Sequence, residues 1–531
     1  MRNLAATALA CAVGGAAACA SSGSHGFAPS GDDAGGVDAS SFHDTGSSDA
    51  VVDATGDAPL EAGGDAGNGV DGAAFTAPTD MRDRIGVYAW GFDTTSWPGT
   101  PDRLNWAANK VAALGARTVR VYLGSEDIYG VLPPADAGPF DLATAATSTA
   151  YRTLFSSPSF DTYVLTTYSE SDDASDWTTG YTAAQVAAER QAIAQLGSAL
   201  LSTFPGKTFL LLDWEGDNAI APVASSQAAW DGFVAWTNAR AAGVVDARSA
   251  TTATTSRLYS GVEFNLLRNL STQAPCDTTA NKCVISVVVP AVDVDYYSYS
   301  SWQSLGPDQT PAEVVTGLQA DLTTALGWAK KHDASTSPAR FLVGEFGAPR
   351  EETDLGECAA MERTASVIGA IAQWGASYGI FWQIIDNTPP TQPNDFVDGF
   401  GLYKASGAAS LSAGLFQTLY QTQVSTPPTP LSCPTISQGG VVDGVHYQAN
   451  DINASTTLAI FGADFSATGD VVHVRQTGMQ WDIAAGSPFF YTSASQINAT
   501  LPGVFGGQNA LVYVTDGNGV DANGQIVAVQ P

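Results

Sequence analysis

The chain has 531 residues, of which 44% are apolar and 14% charged: enough apolar surface for a large core, with an exterior made mostly of Ser, Thr, Asn, Gln and Gly, as suits an exported protein. Lys and Arg number 22 against 53 Asp and Glu, a net charge of −31, which argues against nucleic acid or anionic lipid held by a basic face, since that affinity comes from neutralised phosphates. The five histidines, His25, His43, His332, His446 and His473, leave little material for a Ser-His-Asp triad or a His-rich metal site.

Met1 and Arg2 precede a short apolar run, Leu4 to Ala18, too short to span a bilayer and suited to a signal peptide. It ends in Ala16-Ala17-Ala18-Cys19, which resembles a bacterial lipobox, with Ala16 where Leu is usual. Residues 1–19 are therefore expected to be a lipoprotein-type signal with Cys19 acylated; ordinary cleavage and free secretion is the alternative. Residues 20–80 carry eleven acidic residues and no Lys or Arg among Gly, Ala and Ser. Such a segment cannot bury enough apolar surface to offset ordering entropy, so a disordered, self-repelling tether is expected. The expected location is the outer membrane or cell surface through a lipid anchor alone. No later run is long and apolar enough for a transmembrane helix.

From residue 84 the pattern alternates. Arg84–Trp90, Thr118–Leu123, Thr162–Thr167, Thr208–Asp213, Leu258–Phe264, part of Val284–Tyr299, Arg340–Gly344 and Gly379–Ile385 read as strands. Asp102–Leu114, Ala183–Leu201, Ser226–Ala242, Pro311–His332 and Cys358–Tyr378 read as helices, the fourth with Pro at its first position. The run TFLLLD is nearly all apolar, as expected of a strand covered on both faces. Eight strands alternating with helices over residues 81–425 predict an α/β fold, a (β/α)8 TIM barrel. No dinucleotide or P-loop glycine pattern follows a strand, and no cofactor is expected.

Cys276 and Cys283 flank a polar loop and suit a local disulfide; Cys358 and Cys433 are the leftover pair, which, joined, would pin the junction of two domains. No CxxC spacing points to zinc, and no metal site is expected. Asp172, Asp173 and Asp176 with Trp177 form an acidic loop, read as solvated, without EF-hand spacing.

Chemistry on a barrel sits at the carboxyl ends of the strands. Those ends carry Trp90, Arg120, Trp214, Glu215, Asp217, Asn218, Glu263, Asn265, Asp295, Tyr297, Tyr299, Glu345, Trp382 and Asn387. Carboxylates with aromatic rings suit sugar chemistry: one carboxyl protonates the leaving oxygen, the other attacks the anomeric carbon or activates water, and rings stack on pyranose faces. Five segments resemble, in order, the retaining (β/α)8 glycoside hydrolases of clan A: RVYL (120–123), FLLLDWEGDN (209–218), DYYSYSSW (295–302), FLVGEFGAP (341–349) and GIFWQIID (379–386). The resemblance implies Glu345 as nucleophile and Glu215 as acid/base. It also implies Arg120 bonded to Glu345, Tyr297 or Tyr299 touching the same carboxylate, and Trp382 beneath the sugar. Arg120 would then lower the pKa of Glu345, while apolar walls and the Glu345 charge would raise that of Glu215.

The chain departs from the clan in carrying Trp214 where an Asn usually meets the sugar 2-hydroxyl; Asn218, Asn265 or Asn387 are candidates for that contact. Asp217 is the alternative proton donor, Glu263 a substrate contact or a solvated strand end, and Trp382 and Trp90 either platforms or core plugs. The expected partner is a neutral β-linked polysaccharide or oligosaccharide. The alternatives are a transglycosylase using the same residues and a non-catalytic glycan-binding surface protein.

After a Pro-rich linker at 426–434, residues 435–531 change to short runs with Gly/Asn/Asp turns: 456–462, 470–476, 489–495, 496–502 and 510–519. They predict a small all-β sandwich, and AIFGADF, SQINATLP and VYVTDGNG resemble the IPT/TIG type of immunoglobulin-like domain. Such domains act as spacers or contact surfaces; Trp481, Phe489, Phe490 and Tyr491 are the candidates for sugar contact, against an accessory domain packed on the barrel.

Overall fold

In the computed structural model, the residues described are 75–90, 102–132, 140–169, 180–251, 254–306, 309–349, 356–386, 399–404, 407–421, 435–444, 447, 457–463, 465, 470–476, 479–484, 490–500, 509–515 and 525–528. Expectations for the signal peptide, Cys19, the acidic tether up to residue 74, the Asp172–Trp177 loop, Asn387, the linker at 426–434 with Cys433, and Phe489 fall outside them; Asp80, at the end of the expected tether, is ordered as the cap of Met81–Arg84.

Eight parallel strands close into a barrel in chain order. They are β1 (Ile85–Tyr88), β2 (Thr118–Leu123), β3 (Thr162–Thr167), β4 (Thr208–Leu212), β5 (Arg257–Phe264), β6 (Tyr296–Ser300), β7 (Phe341–Phe346) and β8 (Tyr378–Phe381), with β1 pairing β8 to close the ring. The predicted bounds of β2 and β3 are reproduced, and those of the other strands shift by up to a few residues. All residues of the eight strands but Thr208, Arg257 and Tyr259 are buried, because helices cover the outside and side chains fill the inside.

The helices start and stop on local chemistry. Asp102 accepts the Asn105 amide to cap Arg103–Leu114, which ends at Gly115 with φ 109, a left-handed value that glycine adopts at little cost. Thr182 with Gln185, and Thr310 with Glu313, form reciprocal capping boxes on Ala183–Thr203 and Pro311–His332. The helix predicted to end at Ala242 continues to Ala250. In the apolar stretch after Cys283, Val284–Val287 is helical and only Tyr296–Ser300 is strand; a continuous Val-rich run has no periodicity to separate the two.

The expected Cys276–Cys283 disulfide is present. Cys358 is buried beside Met361, Ala365 and Leu415.

The carboxyl-terminal strands form two four-stranded antiparallel sheets, in the orders β13-β14-β10-β9 and β12-β11-β15-β16. These are β9 (Thr435–Asp443), β10 (Thr457–Ala463), β11 (Val471–Gln476), β12 (Met479–Ala484), β13 (Phe490–Ser493), β14 (Gln496–Thr500), β15 (Asn509–Thr515) and β16 (Gln525–Ala528). Leu458, Ile460 and Ile497 from one sheet and Val472, Val474 and Val512 from the other share one core, as in a sandwich. Trp481 packs partly buried against that core, which ties at least one face of a candidate sugar-stacking ring to the sandwich itself.

Candidate active site

One polar network crosses the inside of the barrel. Arg120 on β2 is fully buried and donates both terminal nitrogens to Glu263 on β5, Nη1 to Oε2 at 2.8 Å and Nη2 to Oε1 at 3.0 Å. Its Nε donates to Thr166 Oγ1 on β3 at 3.0 Å and its Nη1 also to the Gly344 carbonyl on β7 at 2.9 Å. Tyr88 on β1 lies face-on to the guanidinium, 4.7 Å from its ring centroid. Ser298 on β6 donates to Glu263 Oε2 at 2.6 Å.

Glu345 is brought to this network by an irregularity in β7. Between Ser298 and Ser300, β6 advances two residues while β7 advances three, from Leu342 to Glu345; opposite β8, β7 again runs one residue longer, from Val343 to Phe346 against Gly379 to Phe381. A bulge of this kind re-aims side chains. Gly344 turns inward, where a Cβ would stand 2.1 Å from Glu263 Oε2 and 2.1 Å from Ser298 Oγ. Glu345 Oε1 comes within 3.6 Å of Arg120 Nη1. The sequence implied that Arg120 would bond Glu345. The structure gives the bidentate pair to Glu263 and leaves Glu345 the looser approach.

Glu215 follows β4 in a left-handed conformation, φ 42 and ψ 63. Its amide donates to Glu263 Oε1 at 3.1 Å, which offsets a backbone cost of order 1–3 kcal/mol for a non-glycine residue. Its Oε2 accepts a short bond from Asn218 Nδ2, and its Oε1 accepts from Trp302 Nε1 at 3.0 Å. The same indole N–H lies 3.3 Å from Glu345 Oε2. One donor therefore stands between two carboxylates, whose facing oxygens are at most about 6.3 Å apart, the sum of those distances.

Both carboxyls titrate above their ordinary range. Burial pushes Glu215 up to about 8, with the charge of Glu263 as the next cause and the Trp302 bond, Arg120 and Asn218 opposing. Burial, then the charge of Glu215, raises Glu345 well above the usual carboxylate value, against the pull of Arg120. The count of charges agrees. Arg120 is the cation bonded in this network and Glu263 already balances it, so the buried Glu215–Glu345 pair retains a proton as a unit. Asp213, at the end of β4, is pushed up to about 7 by burial; its Oδ1 accepts the Glu263 amide at 2.7 Å.

Several expectations are corrected. Tyr297 and Tyr299 do not touch Glu345. Strand alternation turns Ser298 into the barrel and the two tyrosines outward: Tyr297 packs on Phe341, and Tyr299 stacks on Phe264 and bonds Ser304 Oγ at 2.9 Å. Trp302, on the short 3-10 turn after β6, supplies the N–H contact instead. It ends the DYYSYSSW segment but is not among the sequence candidates, because its reach depends on a turn that periodicity does not show. Glu263 is neither solvated nor exposed to a substrate: it is fully buried on Arg120. Asp217 as proton donor is also displaced. It accepts the amides of Asn265, Leu266 and Val284 at 3.0, 3.0 and 2.7 Å, tying two loops together. Asn265 Nδ2 donates to Asn218 Oδ1 at 3.1 Å, so both asparagines buttress Glu215. Asp295 bonds Arg248 and Ser260 away from the network.

Trp90, Trp214 and Trp382 come together. Trp214 lies 5.2 Å from Trp90 and 5.9 Å from Trp382, centroid to centroid, the latter pair nearly parallel at 28°. Trp90 and Trp382 are buried, Trp214 partly exposed. The tryptophan in the place of the usual Asn thus covers part of Trp382. Tyr168 fixes its backbone, donating to the Trp214 carbonyl at 3.2 Å and accepting its amide at 2.8 Å. Among the described residues no group of three or more His, Cys, Asp or Glu is placed to hold a metal ion, and no helix is long and apolar enough to cross a membrane.

No family model matches the chain, and no curated protein does. Among solved structures it is similar to a GH5_18 protein from Bifidobacterium longum subsp. infantis, at 16% identity and TM-score 0.45, covering 66% of this chain and 81% of that one. It is similar to an exo-β-1,4-mannosidase from Opitutaceae bacterium strain TAV5, at 13% identity and TM-score 0.42, covering 65% and 60%. It is also similar to β-glucuronidase 2 of Bacteroides uniformis, at 11% identity and TM-score 0.39, covering 85% of this chain and 46% of that one. The chain spans less than half the length of that β-glucuronidase.

Proposed function

We propose that this protein is a glycoside hydrolase that cleaves a neutral β-linked glycan with retention of configuration. The observation that carries the reading is the single indole N–H of Trp302 between the buried carboxyls of Glu215 and Glu345, at the carboxyl end of the barrel. One N–H within 3.3 Å of both carboxyls suits the closer of the two carboxylate geometries, near 5–5.5 Å, in which the second carboxylate attacks directly.

In this reading Glu345 attacks the anomeric carbon as a carboxylate, with Arg120 3.6 Å away to hold its charge. Glu215 gives its proton to the leaving glycosidic oxygen. The carbon–oxygen bond to the aglycone breaks as the Glu345 ester forms; Glu215 then takes a proton from water, which displaces Glu345 and frees the sugar. The partly exposed Trp214 ring, over Trp90 and Trp382, gives the sugar an apolar surface. The net charge of −31 supports a neutral substrate. Acylation at Cys19, with residues 20–80 as tether, completes the proposal; mass analysis of the amino terminus from membrane fractions tests it.

The main test is hydrolysis of a panel of nitrophenyl β-glycosides and neutral β-glycans by the protein and by Glu345→Gln and Glu215→Gln. Activity lost by several orders of magnitude in Glu345→Gln, with the first-formed anomer retained in the wild type, supports the mechanism. Glycan binding without turnover in all three proteins would move the reading to a non-catalytic surface binder.

A further inference from the structure

Glu263 has no role in the two-carboxylate mechanism, yet it bonds the amide of Glu215 and the Arg120 that approaches Glu345. Its carboxylate is fully buried and receives four donors: Arg120 Nη1 and Nη2, Ser298 Oγ, and the amide of Glu215. Four is about the full acceptor capacity of a carboxylate, so its ionised form is satisfied without solvent. Room for it exists only because residue 344, directly before Glu345, has no side chain. Buried ions are costly unless paired, and this arrangement commits the cation of Arg120 to a residue other than the proposed nucleophile.

From this we propose that Glu263 is a positioning residue that sets the proton inventory of the site: by neutralising Arg120 and clamping the Glu215 amide, it keeps one proton on the Glu215–Glu345 pair through neutral pH. Without it, Arg120 would turn its full charge on Glu345, and both carboxyls would ionise at lower pH. The titratable and charged groups facing the pair are Arg120 from β2, Glu263 from β5 and Tyr88 from β1; Asp213 at the end of β4 bonds the Glu263 amide, and Asp217 in the turn after it is occupied by the amides of Asn265, Leu266 and Val284. Thr166 from β3, Ser298 from β6, Trp382 after β8 and the Trp302 indole add no charge. Burial and the charge of Glu263 both raise the Glu215 carboxyl, in line with this assignment. The inference rests on the proposed reading of Glu215 and Glu345 only for its activity readout.

The test uses Glu263→Gln, Glu263→Asp and the double variant Arg120→Gln/Glu263→Gln, each read in two ways. In the pH profile of kcat/KM, Glu263→Gln moves both limbs acid by at least one pH unit, a tenfold change in proton affinity. Glu263→Asp, which keeps the charge, leaves the limbs in place while lowering kcat. The second readout needs no substrate: proton release linked to unfolding, from denaturation at a series of pH values. Glu263→Gln moves the upper edge of the pH window of release acid. The double variant, which restores the charge balance and removes both partners of a buried pair together, brings it back. A merely structural Glu263 would lower activity equally at every pH and leave the window unmoved, and that result overturns the proposal. If the wild type cleaves no glycoside but the release window still shifts and returns, the proton assignment stands and the hydrolase reading falls. If the wild type is active but limbs and window both stay fixed, the hydrolase reading stands and the proton assignment falls.

Discussion

Replacing the Glu215 carboxyl by its neutral isostere should make the protein more stable, and only at neutral to alkaline pH. The folded pKa of Glu215 is about 8, against an ordinary value of 4.5. The folded state therefore holds the Glu215 proton more tightly than the unfolded chain does. The stability this confers is fully present below the unfolded value and is lost as pH rises through the window from 4.5 to about 8. At about 1.4 kcal/mol per unit, the loss is at most about 5 kcal/mol; because Glu345 competes for the same proton, a gain on the order of 2–5 kcal/mol is expected for Glu215→Gln above that window. Near pH 4 the wild-type carboxyl is protonated in both states, so wild type and variant converge. The assay is urea unfolding of both proteins across pH 4 to 9, followed by tryptophan fluorescence. A variant no more stable than wild type above pH 8, or a difference independent of pH, would refute the reasoning that burial without a free cation governs this carboxyl.

Trp302→Phe removes the shared N–H, whose bond lowers the pKa of both carboxyls. The basic limb of the activity profile should move to higher pH, and kcat/KM should fall on the order of 100-fold, as for loss of one preorganised donor. Gly344→Ala places a methyl group 2.1 Å from Glu263 Oε2 and Ser298 Oγ. Backbone and a buried ion pair cannot yield cheaply, so a loss of about 3 kcal/mol or more is expected in the urea midpoint. Cys276→Ser with Cys283→Ser opens a loop closed over a separation of seven residues, and should cost about 2 kcal/mol by loop entropy, measured as a matching drop on reduction of the wild type.

The barrel was legible because its strands are marked twice, by apolar runs and by the helices between them. Thr118–Leu123 and Thr162–Thr167 stand alone between turn signals, and their predicted bounds match the structure. Three strands of the carboxyl-terminal sheets, β9, β12 and β16, escaped: β9 is interrupted by Gly439-Gly440, and β12 and β16 are too short to show a clean alternation. In the site, Arg120, Glu215 and Glu345 were found from strand-end position, and the structure brings them together. Their mutual bonding was not legible. Whether Tyr297 or Ser298 faces inward depends on the phase of β6 against its neighbours, and one residue of phase exchanges every side chain. The bulge that turns both Gly344 and Glu345 toward the interior has no mark in FLVGEFG beyond the glycine. The pairing of Glu263 with Arg120 joins positions 143 residues apart, and charge alone did not say which of three carboxylates would take the guanidinium.

The placement of Arg120 also bears on how the barrel assembles. Its guanidinium reaches across the interior, so the cation belongs to the first four strands and its counter-ions, Glu263 and the nearby Glu345, to the last four. A fragment ending before β5 would hold Arg120 without the carboxylate that takes its two nitrogens, and the complementary fragment would hold Glu263 without its cation. Neither half is therefore suited to closing on itself, and each carries the partner of a bidentate pair that the other lacks. Separately expressed halves should stay open until mixed and then recognise one another through their interiors, which makes the ion pair a checkpoint for completeness of the ring.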